Sequence, residues 1–177
     1  TYDREVPKID PVRAAAAAVG RSLVVTNPRG DGLQPVTPAA NPASGPCDTD
    51  TECALLYTSG TTGRPKGCVL TNEYFLWGGT WYTRIGGMCV VRSDVERMLT
   101  PLPLTHMNAL ACSTMCMLLT GGCLILLDRF HPRSWWQNVR ESRATIVHYL
   151  GVMPAMLLAA EASADDRRHD VGFGFGA

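Results

Sequence analysis

The sequence of 177 residues lacks an excess of charge of either sign, because sixteen lysines and arginines balance sixteen aspartates and glutamates. Charged residues make up only 18% of the chain and aromatic residues only 7%. Because the chain has no surplus of basic residues, its composition does not favour nucleic acid or an anionic membrane surface as a partner. Hydrophobic residues, at 46%, are numerous enough for a sizeable buried core, which argues against a disordered chain.

Long apolar runs and paired cysteines are also missing. The longest apolar stretch, 107–119, is interrupted by polar residues and is shorter than the roughly 20 residues of a membrane-spanning helix. Residues 1–5 lack the apolar core of a signal peptide. The seven cysteines include no C-x-x-C pair and lie mostly in apolar runs. We expect no transmembrane segment, and a reducing, cytoplasmic compartment.

The chain changes character near residue 50. Before it, an alanine-rich segment over 10–20 predicts a short helix and residues 22–26 predict a strand. Residues 27–48 hold five prolines and three glycines, which is typical of a surface loop or linker. We therefore divide the chain into residues 1–50 and 51–177.

From residue 51 onwards, strand and helix patterns alternate. This alternation predicts the α/β fold class, with a mostly parallel sheet flanked by helices. The run 123–127 is continuously apolar, as in a strand buried on both faces of a parallel sheet. Strands are predicted over 53–57, 67–70, 95–100, 123–127 and 144–149, and helices over 107–119, 132–143, from 154, and from a cap at Thr71 or Asn72. One face of that last helix is predicted to carry Tyr74, Trp77, Gly78, Trp81, Tyr82 and Ile85.

The segment 57–67, YTSGTTGRPKG, is the most informative part of the sequence. Its glycines allow a ligand to approach the main chain, and successive N–H groups in such a loop can bind an anion. Lys66 adds a mobile positive charge suited to phosphate. The candidate phosphate-binding residues are Thr58, Ser59, Gly60, Thr61, Thr62, Gly63 and Lys66.

Two other interpretations of this loop are weaker. A Walker-type loop, G-x-x-x-x-G-K-[ST], requires a second glycine where Pro65 stands and a hydroxyl where Gly67 stands. An ordinary turn needs only two or three glycine, proline or Asx residues. Three glycines, four hydroxyls and a lysine exceed what a turn requires.

The segment 57–67 is similar, position for position, to the signature loop of the adenylate-forming superfamily, which includes acyl-CoA synthetases, luciferases and peptide-synthetase adenylation domains. The segment 101–110, PLPLTHMNAL, partly resembles a second landmark of that family, and 174–177 resembles the start of its adenine-contacting strand. Trp135-Trp136 and 164–169 resemble the carnitine- and crotonobetaine-type CoA ligases within it.

The resemblance implies an acid–thiol ligase that uses ATP, Mg²⁺ and coenzyme A. The loop would hold the β- and γ-phosphates while a small carboxylic acid forms an acyl-adenylate, from which CoA then displaces AMP. It also implies that His106 gates the passage between the acyl pocket and the CoA tunnel, and that Gly176 and Ala177 contact adenine. A lone histidine at the start of a helix can equally be structural.

Several parts of such an enzyme have no counterpart here. The family's Mg²⁺-holding Thr-Glu motif, ribose-binding Asp and catalytic Lys are absent, and residues 1–50 fit only the end of an earlier subdomain. We therefore expect a truncated N-terminal portion, inactive in adenylation by itself. A non-catalytic nucleotide-binding module, a luciferase-like enzyme and a peptide-synthetase adenylation domain remain open alternatives.

Overall fold

The computed structural model describes residues 6–20, 45–58 and 65–176. They belong to two compact units, and the boundary between these units in the sequence falls between Pro46 and Cys47. In the first unit, helix α1 spans Val6–Ala18. The helix predicted over 10–20 is thus present but begins earlier, so that Pro11 lies inside it. The strand predicted over 22–26 lies outside the described residues.

The second unit begins with an antiparallel hairpin and continues as alternating helices and strands. A π-helix, Asn108–Thr114, runs directly into α3. Short 3₁₀ turns cover Pro132–Ser134 and Ala164–Arg167. The regular elements are β1 (Glu52–Thr58), β2 (Lys66–Thr71), α2 (Asn72–Arg84), β3 (Arg97–Thr100), α3 (Met115–Thr120), β4 (Cys123–Leu126), α4 (Trp135–Ser142), β5 (Ile146–Tyr149), α5 (Val152–Leu158) and β6 (Phe173–Gly176).

Four of these strands form a parallel sheet in the order β4-β3-β5-β6. The predicted α/β class with a parallel sheet is therefore confirmed. In this sheet β3 and β5 are central, and β4 and β6 are the outer strands. The C-terminal ends of all four strands lie at one edge, because the strands are parallel.

The core lies on both faces of the sheet, because alternate strand residues point to opposite sides. Met98 and Leu99, neighbours in β3, belong to different clusters. One cluster contains Tyr82, Met98, Cys112, Cys116, Met117, Ile146 and Phe175. The other contains Leu99, Leu102, Ala109, Trp135, Val139, Ala144 and Met153.

The buried face of α2 differs from the predicted one. The helix buries Phe75, Gly79 and Tyr82, whereas Trp77 and Trp81 are 57% and 60% exposed. A Cβ atom on Gly79 would lie only 2.7 Å from the Cβ of Met115. The close approach to the π-helix and α3 is made at Gly78 and Gly79. Of the predicted face, Tyr82 is buried and Gly78 packs against the π-helix, whereas Trp77, Trp81 and Ile85 are exposed.

Strand β4 is also less buried than its apolar sequence predicts. Cys123 and Leu126 are exposed, and the two residues between them are half-buried. The prediction of a strand covered on both faces was wrong, because β4 lies at the edge of the four-stranded sheet.

A buried carboxylate joins β3 and β5 at their N-terminal ends. Glu96 is 3% exposed and accepts hydrogen bonds from the Nε of Arg92 at 2.7 Å and from the hydroxyl of Thr145. Burial by itself would raise the pKa of Glu96, but these hydrogen bonds outweigh it and hold the pKa below its ordinary value. These hydrogen bonds join the segments that lead into the two central strands, β3 and β5.

Across the described ranges, every helix is too short or too polar to cross a membrane.

Candidate functional site

The predicted phosphate-binding segment is placed between the two strands of a hairpin. Thr58, the last residue of β1, is paired with Lys66, the first residue of β2. Both residues are exposed, so a hydroxyl and an ammonium group are accessible where the connection leaves the strands. The other candidates, Ser59, Gly60, Thr61, Thr62 and Gly63, lie outside the described residues.

The segment that leads into β1 is joined to the first turn of α2 by hydrogen bonds. The backbone N–H groups of Asn72 and Glu73 donate to the carbonyl oxygens of Thr51 at 3.0 Å and Thr49 at 2.9 Å. The side-chain amide of Asn72 donates to the carbonyl oxygen of Asp48 at 2.8 Å. These bonds satisfy N–H groups that a helix start leaves free. The predicted helix start is confirmed, although the Thr71 side chain makes no capping bond.

A second group of predicted residues lies at the C-terminal edge of the parallel sheet, where ligands bind in open α/β folds. Gly176 ends β6 and is paired with Tyr149, the last residue of β5. A Cβ atom on Gly176 would lie 2.8 Å from the Cε2 of Tyr149. Glycine therefore allows the tyrosine ring to lie against the neighbouring strand. Ala177 lies outside the described residues.

His106 follows the C-terminal end of β3 and is exposed. Its N–H donates to the carbonyl oxygen of Pro103 at 3.1 Å, and its own carbonyl accepts from the N–H of Leu110 at 3.0 Å. These bonds hold the backbone of His106 at the start of the π-helix. Its neighbour Met107 lines an apolar groove of about 340 Å³, together with Tyr74, Trp77, Gly78, Trp81, Arg84 and Cys112.

A larger groove of about 720 Å³ lies between the hairpin and the helices. Its walls include Cys53 and Ala54 of β1, Phe75 of α2 and Met115 of α3. Among the predicted site residues that the structure describes, none lines it. We assign no chemistry to it.

One buried polar group was missed as a candidate by sequence reasoning. His148 in β5 is fully buried; its Nε2 lies 3.1 Å from the Oη of Tyr82, and its Nδ1 lies 2.5 Å from the Oγ of Ser113. Burial lowers the pKa of His148 to about 4, so the ring is neutral near pH 7. The sequence indicated only a histidine in an apolar strand, and no local signal connects it to Tyr82.

The described residues fit some of the implied ligands and not others. Thr58 and Lys66 offer the hydroxyl and positive charge that a phosphate group requires. Among the described residues, no group of three His, Cys, Asp or Glu side chains is arranged to hold a metal ion. We therefore derive no step through Mg²⁺ from this part of the chain.

The fold and the candidate site together define an α/β domain of the kind that binds ligands beyond the C-terminal ends of its strands. A family model described as "AMP-binding enzyme" matches residues 2–173. The chain belongs to this family, as the signature loop predicted.

Individual relatives agree with this assignment. Crotonobetaine/carnitine–CoA ligases of Shigella sonnei and Escherichia coli are 32% identical over 151 residues, which is 82% of this chain. The chain spans 28% of the length of these ligases.

Solved structures show the same fold. An inhibitor-bound N-terminal domain of FACL13 from Mycobacterium tuberculosis is 28% identical, with a TM-score of 0.65, over 78% of this chain and 33% of that one. A fatty acyl CoA synthetase from the same organism is 26% identical, with a TM-score of 0.60, over 76% of this chain and 25% of that one.

Proposed function

We propose that this chain is the ATP-phosphate-binding portion of an AMP-forming acid–CoA ligase. The observation that carries the proposal is the pairing of Thr58 with Lys66 at the mouth of a hairpin, in a chain that belongs to the AMP-binding enzyme family. The connection between them has the sequence SGTTGRP. Its N–H groups and hydroxyls, from Thr58 to Gly63, together with Lys66, bind the β- and γ-phosphates of ATP.

In the proposed reaction, a carboxylate oxygen of the substrate attacks the α-phosphorus of ATP. The bond from that phosphorus to the bridging oxygen breaks, and pyrophosphate leaves with the electron pair. The thiolate of coenzyme A then attacks the carbonyl carbon of the acyl-adenylate and expels AMP. Lys66 contributes by offsetting the charge of the departing pyrophosphate.

The remaining site residues have roles at the edge of the sheet. Gly176 and Ala177 lie against the adenine, and His106 gates the passage between the acid and coenzyme A. Acids with a quaternary ammonium group are one candidate class, because the relatives' names refer to carnitine and crotonobetaine. We place the enzyme in the cytoplasm, acting on a small carboxylic acid.

Because lysines are few in this chain, the phosphate-binding role of Lys66 can be tested directly by chemical modification. The chain has only two lysines, Lys8 and Lys66. ATP is expected to protect Lys66, but not Lys8, from acetylation by acetic anhydride, as measured by peptide mass spectrometry. Equal modification of Lys66 with and without saturating ATP would overturn the phosphate-binding role.

The matched activity test uses the complete protein. Lys66→Ala is expected to lower ATP–pyrophosphate exchange by about 100-fold, as removal of one charge-stabilising group from an active site does. Arg133→Ala removes the same charge from an exposed turn and is expected to leave the exchange unchanged. Equal losses in the two variants would contradict a specific role for Lys66.

A further inference from the structure

Tyr82 of α2 contacts two residues that face each other across β5 and β6. Its Oη lies 3.1 Å from the Nε2 of His148, and its ring stacks on that of Phe175 with a centroid distance of 4.0 Å and an interplanar angle of 28°. His148 and Phe175 are paired in the register of the two strands. A single helical side chain thus holds both strands one residue before their ends.

A third element joins this contact through the other ring nitrogen of His148. The Oγ of Ser113, in the π-helix, lies 2.5 Å from Nδ1. A neutral imidazole has one N–H donor and one acceptor nitrogen. One hydroxyl therefore donates to the ring while the other accepts from it, and the polar groups of this bridge are satisfied although Tyr82, Ser113 and His148 are all buried.

The opposite end of α2 is tied to the segment that leads into β1, the first strand of the hairpin. Asn72 and Glu73 are hydrogen-bonded to residues 48–51, and β2, which begins at Lys66, leads directly into the helix. Tyr82 lies ten residues after Asn72, about 15 Å further along the helix axis. Helix α2 therefore connects the strand that carries Lys66 to the sheet edge that carries Gly176.

We propose that Tyr82, braced by His148 and Ser113, is a positioning residue for nucleotide binding. It fixes the angle and depth of α2 on the sheet, and so sets the position of Lys66 relative to the C-terminal edge at Gly176. ATP contacts both places in the proposed function, on which this inference rests. Tyr82 itself touches no substrate.

The N-terminal edge of the same sheet offers a matched control. Thr145 donates a hydrogen bond to the buried Glu96 and accepts one from the N–H of Arg97 at 2.9 Å. Replacing Thr145 by valine removes its hydroxyl, and with it the hydrogen bonds to Glu96 and Arg97 at the N-terminal ends of the two central strands. It does so at the end remote from Gly176, and α2 is not involved.

The experiment measures ATP affinity and stability separately in the complete protein. The affinity is the midpoint of ATP protection of Lys66 from acetylation, and the stability is the midpoint of thermal unfolding. The variants are Tyr82→Phe, which keeps the ring and removes the hydroxyl, Ser113→Ala, which frees one side of His148, and Thr145→Val. Ser113→Ala keeps the test decisive if Tyr82→Phe does not fold.

We expect Tyr82→Phe to weaken ATP binding about five- to tenfold, the effect of one misplaced interaction, and Ser113→Ala to weaken it less. Thr145→Val is expected to lower the unfolding midpoint similarly while its ATP affinity stays unchanged. If Tyr82→Phe and Ser113→Ala bind ATP like the unaltered protein, or if all variants lose affinity in proportion to stability, the positioning role is wrong. If ATP does not protect Lys66 in the unaltered protein, the proposed function fails instead.

Discussion

The ring of Tyr149 lies against the backbone of Gly176 in the neighbouring strand. A Cβ atom on Gly176 would lie 2.8 Å from the Cε2 of this ring, and one on Gly174 would lie 2.8 Å from its Cε1. These two glycines line one side of β6, and Phe175 between them is buried on the other side. The tyrosine thus covers the outer strand on the face opposite to Tyr82.

Gly174→Ala is therefore expected to destabilise the protein by about 1–3 kcal/mol, because the added methyl group overlaps Tyr149 and Val147. Urea unfolding followed by circular dichroism measures the change. Gly172→Ala is the matched control, since the nearest atom to its Cβ would be the carbonyl oxygen of Thr145 at 3.9 Å. Equal stability of the two alanine variants would contradict the contact with Tyr149.

The buried imidazole of His148 is expected to make stability depend on pH. Burial lowers its pKa to about 4 in the folded state, whereas an unfolded histidine titrates near pH 6.5. The unfolded chain thus binds more protons between these values. The contribution is fully present above about pH 6.5 and is lost as the pH falls towards 4.

The measurement for His148 is the free energy of unfolding in urea at pH 7.5 and pH 5. In the unaltered protein we expect the free energy of unfolding to be about 2 kcal/mol lower at pH 5 than at pH 7.5. The decrease arises because the histidine takes up a proton near pH 6.5 in the unfolded state but not in the folded state. His148→Gln does not titrate and should lose that slope, whatever its absolute stability. A slope that persists in His148→Gln would assign the pH dependence to other groups.

Six of the seven cysteines are expected to react in two groups, and the half-buried Cys89 belongs to neither. All seven are free thiols, and burial raises the pKa of Cys112, and that of Cys116 to about 12. Iodoacetamide at pH 8 should modify the exposed Cys47, Cys53, Cys68 and Cys123 at least about 100-fold faster than Cys112 and Cys116, because a buried thiol forms little thiolate. Peptide mass spectrometry over time measures the rates; fast labelling of Cys116 in the folded protein would contradict its burial.

The sequence predicted those parts of the fold that depend on neighbouring residues. The hairpin strands around 57–67 and the start of α2 follow from local apolar runs and turn residues, and the parallel sheet follows from their alternation. The helix at 107–119 was placed correctly, although its first part is a π-helix. The signature loop was recognisable because all its residues are consecutive.

Long-range relationships could not be predicted from one sequence. Tyr82 and His148 are 66 positions apart, and nothing near either residue indicates that they share a hydrogen bond. The aromatic residues of α2 suggested that Trp77 and Trp81 are buried, because the sequence does not show that Gly78 and Gly79 bring the helix close to the π-helix and α3. Similarly, the apolar run at 123–127 does not reveal that β4 lies at an edge, since edge position depends on the strand order.

The close contacts of the glycines have a consequence for how this protein can evolve. Every single-base change of a glycine codon that alters the amino acid adds a Cβ atom or stops translation. At Gly79, Gly122, Gly174 and Gly176 such an atom would lie less than 3.0 Å from a neighbour. A smaller side chain at position 149 would relieve the closest contacts of Gly174 and Gly176, so the order in which mutations arise is constrained along β6. At Gly79 the backbone of Met115 also lies 2.7 Å away, and no smaller neighbouring side chain removes that contact.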